Sequence, residues 1–119
     1  MDYNSGMNRK TDITLFVAVL MDCFKLEQTP IITSKKSIVL DGADCWGVWY
    51  YSRKQHKIWV SSGKEVTTQK LFTILAHEFV HAWQHENNMP YDHDSKEFLA
   101  MIDYFGYNYG VNIVSMKDS

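Results

Sequence analysis

The sequence has little of what builds unusual scaffolds. Among its 119 residues are only two cysteines, Cys23 and Cys45. Two are too few for a disulfide framework or a four-thiolate zinc site, so they read as small buried hydrophobes of a reducing compartment. Two prolines and six glycines exclude a collagen-like or Pro/Gly-rich chain. No charge of one sign dominates. Twelve Lys and Arg stand against fourteen Asp and Glu, a net charge of −2, so there is no bulk basic field to attract nucleic acid. Long apolar runs are also missing. Near the N-terminus, Ile13–Met21 is free of charge for nine residues between Asp12 and Asp22, whereas spanning a bilayer takes about twenty. Arg9 and Lys10 imitate the basic start of a signal peptide, but Asp22 follows and no A-x-A-like cleavage site does. The expectation is a cytoplasmic chain with no membrane partner.

What is present is ordinary for a folded domain. Hydrophobic residues make 45%, charged residues 22% and aromatics 14%, enough to bury roughly two-thirds of the unfolded surface in one core. No repeat, low-complexity tract or linker divides the chain, so residues 1–119 read as one domain with a flexible polar start over 1–10. Thr11 or Asp12 can cap a helix running to about Gln28, its buried stripe formed by Ile13, Phe16, Val17, Val19, Leu20, Cys23 and Phe24. Thr29-Pro30 ends it. The period then shifts to two. Ser37–Leu40, Cys45–Tyr51 and Lys57–Ser61, with turns at Asp41-Gly42 and Ser52–Lys57, predict a mainly antiparallel three-stranded meander. Ser62 and Glu65 have capping-box spacing before a long helix to about Asn87. Asn88-Met89-Pro90 breaks that helix, and Asp94 or Ser95 opens another, reaching about Tyr104.

The chemistry sits in the long helix. His77-Glu78-Phe79-Val80-His81 is an H-E-x-x-H match. At helical spacing the two histidines lie about 40° apart, one turn up the same face. Two imidazoles so placed can bind one Zn²⁺, while Glu78, rotated off the metal axis, can take a proton from the activated water. Phe72, Leu75, Ala76, Phe79 and Trp83 cluster on the other side. That side is expected to bury the helix against the sheet and leave the histidines facing a cleft.

A catalytic zinc site wants a third protein ligand and an open position. His85 continues the row, but it stands about 12 Å along the axis from His77 and is expected to be exposed. Glu97, sixteen residues after His81, is a possible glutamate-type ligand. His93 is the better candidate: it follows the break at Pro90, precedes Phe98, and is flanked by Asp92 and Asp94, which can orient an imidazole. His56, in the hairpin turn, is expected to be solvated. Tyr91, Tyr104, Tyr107 and Tyr109 are in sequence reach of the site, each expected to pack rather than to stabilise an oxyanion. Trp46, Trp49 and Trp59 are expected to pack in the core.

His77-Glu78-Phe79-Val80-His81-Ala82-Trp83, followed by His93 and Phe98, resembles the SprT-like (Spartan-type) zinc metalloprotease domain. The upstream order is similar too, with Gly47-Val48-Trp49-Tyr50 and Ile58-Trp59-Val60-Ser61 as strands. The resemblance covers roughly residues 12 to 106. Asp94 stands where that family usually has glycine, and no cysteine-rich ribbon is in the sequence. The resemblance implies an α+β, zincin-like fold and zinc-dependent hydrolysis of peptide bonds in a polypeptide substrate. His77, His81 and His93 would then hold zinc, with Glu78 as the general base. Substrate is expected to lie extended along the free edge of the sheet. The competing expectation is a zinc-stabilised protein-binding module without turnover. The densest cations are Arg53, Lys54 and Lys57 with Lys35 and Lys36, too few for tight DNA binding by this chain alone.

Overall fold

The computed structural model describes residues 6–63, 66–89 and 95–110, with side chains from residue 10. The order of elements is α1 (Gly6–Phe24), β1 (Ile31–Lys35), β2 (Ile38–Leu40), β3 (Ala43–Cys45), β4 (Gly47–Ser52), β5 (Gln55–Ser61), α2 (Thr68–Glu86) and α3 (Lys96–Tyr109). Over the described residues this is an α+β arrangement with three helices and a small sheet.

The sheet departs from the expected meander. Its strand order is β1-β5-β4, with β1 parallel to β5 and β4 antiparallel to it, so it is mixed. The stretch Ser37–Leu40 does not join it. Ile38–Leu40 pairs with Ala43–Cys45 as a separate two-stranded hairpin. The missing third strand is Ile31–Lys35, directly after Pro30. Its parallel pairing with residues 57–61 is non-local and leaves no turn signal in the sequence. Both hairpins close through two residues at positive φ, Asp41-Gly42 and Arg53-Lys54, the primed turn that matches strand twist.

The helix boundaries also move. Helix α1 begins at Gly6, before the expected cap, and ends four residues earlier than expected, where Lys25 turns to φ 56. Its Val19, expected in the buried stripe, is exposed, whereas Leu20 and Phe24 are buried. Ser62 does not cap α2. Its N–H and Oγ–H both donate to the Lys35 carbonyl, at 2.8 and 3.2 Å, which holds it extended beside β1. Thr67 caps instead, its hydroxyl accepting from the Lys70 N–H at 3.1 Å. Ser95 caps α3, accepting from the Phe98 N–H at 3.1 Å. That helix runs past Gly106 to Tyr109 and stops at Gly110, whose φ of 66 supplies the left-handed cap.

Helix α2 is the centre of the molecule. Every residue from Thr73 to Ala82 is buried. Its aromatic side packs against the other helices rather than the sheet. Phe72 meets Phe16 at 5.1 Å, and Phe24 of α1 touches Phe79, Trp83 and Phe105 at 6.1, 6.2 and 5.6 Å between ring centroids. Strands β4 and β5 cover another side. Ile58 and Val60 of β5 are almost fully buried. Each such aliphatic side chain contributes about 1.5–3 kcal/mol by leaving water. Among the described residues no helix is long and apolar enough to cross a membrane.

Candidate metal centre

His77 and His81 stand one turn apart on α2 with ring centroids 5.1 Å apart and planes at 74°. They do not look out on an open cleft. His77 is 3% exposed and His81 4%. Phe98, early in α3, packs against both rings, at 5.4 Å from His77 and 5.9 Å from His81. Trp49 of β4 closes on His81 at 6.3 Å. Trp49 therefore walls the imidazole pair. Trp59 instead lies half-buried on the outer face of the sheet, against Tyr50 at 5.6 Å and under the Lys35 ammonium at 4.3 Å.

The His81 ring is held by its neighbour one turn on. Gln84, fully buried, accepts a hydrogen bond from His81 Nδ1–H through Oε1 at 3.0 Å. With Nδ1 carrying the proton, Nε2 is the nitrogen able to ligate.

Glu78 is fully buried beneath the backbone of β4. A Cβ at Gly47 would stand 2.7 Å from Ile74 Cγ2 and 3.0 Å from Glu78 Oε2. Only glycine lets the strand descend this far onto the helix, and the reason is space rather than backbone angle. The strand it belongs to is an edge of the sheet, since the order is β1-β5-β4. Beside its first residue, a cavity lined by Ile38, Asp44, Cys45, Trp46 and Ser61 separates the β2–β3 hairpin from the end of β5.

The donor set fits a zinc ion in part: two imidazoles on one helical face, with His81 Nδ1 held by Gln84. Among the described residues no three His, Cys, Asp or Glu side chains gather as a metal group. Glu97, half-buried in the first turn of α3, and His85 therefore do not complete the pair. His93, Asp92, Asp94 and Tyr91 lie outside the described residues.

A second polar group stands beside this site and was not expected. His56 is fully buried, not solvated. Trp49 Nε1–H donates to His56 Nδ1 at 3.1 Å. Because the indole can only donate, His56 carries its proton on Nε2, which donates to Glu86 Oε2 at 2.7 Å. Glu86 also accepts from the backbone N–H of Glu27 at 2.8 Å and of Gln28 at 3.3 Å. The last turn of α2 is thereby tied to β5, to the segment after α1, and through Trp49 to the wall of the histidine pair. His85 is half-buried, its ring 4.2 Å from Tyr51. The alternation along β4 put Trp49 and Tyr51 on one face, but nothing in the sequence marked Glu86 as their partner.

The Cys23 side chain next to Tyr104, by hydrogen bonding and by charge, pushes the phenol up to about 12. Tyr109 packs on Phe72 at 5.5 Å, on the side of α2 that meets α1. Tyr107 is 92% exposed. No family model, curated protein or solved structure matches this chain.

Proposed function

We propose that this chain is a zinc-dependent metallopeptidase domain of the SprT-like, zincin-like type. The observation that carries the reading is the pairing of two buried imidazoles one turn apart with a buried carboxylate placed under an edge strand. His77 and His81 are two of the ligands. His93 is the third, supported by position. Phe98, five residues further along the chain, packs against both imidazoles.

When bound, zinc supplies Lewis acidity toward the scissile carbonyl and its attacking water. Glu78 takes the proton of that water and returns it to the leaving amine. Its burial excludes competing solvent, and Gly47 gives it the room to stand at the strand edge. A polypeptide substrate adds to β4 as a further strand, since the free backbone groups of an edge accept one without sequence preference.

The test is Glu78→Gln, which preserves shape and removes the base. Wild type and variant are compared on unfolded protein substrates with zinc loading measured in both. The expected result is equal zinc and cleavage reduced at least about 100-fold. Equal cleavage by both would remove Glu78 from the reaction. Cleavage by neither, with zinc bound, would favour a zinc-stabilised binding module.

A further inference from the structure

His81 has a side-chain acceptor on its own helix, three residues on. Gln84 is fully buried although its neighbours Trp83 and His85 are not. A buried amide costs free energy unless its hydrogen bonds repay the loss of water. The bond that Gln84 makes among the described residues is to His81 Nδ1 at 3.0 Å, and its Nε2 makes none there. A side chain kept for packing alone would be as well served by methionine, which has the same length and no polar atoms. The amide is therefore placed for the imidazole.

Resting on the reading of His77 and His81 as zinc ligands, we infer that Gln84 is the positioning residue of the site. It fixes the His81 tautomer and ring plane so that Nε2 faces the metal. An amide does this without adding charge. A carboxylate in the same place would pull the imidazole proton more strongly and make His81 a more electron-rich ligand. Gln84 thus sets the orientation of His81 while leaving the site's net charge, and with it the acidity available to the attacking water, unlowered.

The experiment measures zinc affinity by competition with a chromophoric chelator, in wild type, Gln84→Met, Gln84→Glu and His77→Ala. Near-ultraviolet circular dichroism verifies folding of each metal-free chain. Gln84→Met should weaken zinc by about 10–100-fold. Gln84→Glu, which restores an acceptor, should bind at least as tightly as wild type. The visible spectrum of the cobalt-substituted Met variant should depart from that of wild type, as a freely rotating His81 changes the ligand field. A packing role would give the opposite order, Met tolerated and Glu damaging. That order, or equal zinc affinity in wild type and Gln84→Met, would overturn the inference while leaving the metal reading intact. Wild type binding no more zinc than His77→Ala would overturn both. If the Glu variant does not fold, the Met variant and its cobalt spectrum decide alone.

Discussion

Single positions carry most of this site. Gly47 is the sharpest case, because a methyl group there must push against Ile74 Cγ2 at 2.7 Å and Glu78 Oε2 at 3.0 Å. Both neighbours are fully buried and packed, so neither can swing away cheaply. Gly47→Ala should cost about 1–3 kcal/mol of stability by overpacking. Under the proposed mechanism it should also lower cleavage more than stability alone explains, since it displaces the carboxylate. Denaturant unfolding beside a cleavage assay checks both; an unchanged midpoint would mean that β4 does not press on Glu78. At this scale the sequence was readable where a motif imposes its own geometry. The spacing of His77 and His81 needs only helical periodicity to set the two imidazoles one turn apart. Gly47, Gln84 and His56 were not readable in their roles, because each acts through contacts that depend on how β4 and β5 dock onto α2.

Among the elements, two polar interactions can be tested apart. One is Glu86, which gathers the N–H groups of Glu27 and Gln28 and the imidazole of His56. Glu86→Ala leaves these donors without their acceptor and should cost about 1.5–3 kcal/mol, the range for hydrogen bonds to a charged group. A chemical denaturation midpoint equal to that of wild type would contradict this. The other is the influence of Cys23 in α1 on Tyr104 in α3. Its phenol is raised from its ordinary 10.0 to about 12 in the folded chain. A group raised on folding stabilises only while protonated. The contribution is full below pH 10 and fades as pH rises through about 12. The stability difference between wild type and Tyr104→Phe should therefore shrink between those values, as read from urea midpoints at pH 9 and above pH 11. A constant difference would show that Cys23 does not hold the proton on Tyr104.

The elements themselves were legible in proportion to how local their signals are. The existence of the described helices followed from apolar spacing, and only α3 from an expected cap, Ser95. Their ends did not. Ser62 has its hydroxyl committed to Lys35 of a distant strand, and Gly106 is carried through α3 because Gly110 takes the cap. The two hairpins announced themselves through turns, whereas β1 did not, since a parallel partner more than twenty residues away leaves no mark on the strand's own sequence.

For the molecule as a whole, α2 is packed on several sides before any ion is considered. Leu71, Ile74, Leu75, Phe79 and Val80 are fully buried, and truncating any one of them to alanine would cost about 2–5 kcal/mol. A helix held this firmly does not need a metal to form. Zinc removal is therefore expected to lower thermal stability while leaving the secondary structure in place, as a catalytic site allows and a structural zinc site does not. The most direct measurement is the metal itself. Elemental analysis of the wild-type chain, purified without added metal and again after zinc loading and dialysis, is compared with His77→Ala, His81→Ala and His93→Ala. The expected result is one zinc per wild-type chain and marked loss in each of the three variants. A wild-type chain that holds no zinc after loading, or variants that hold as much as wild type, would contradict the metallopeptidase reading at its root.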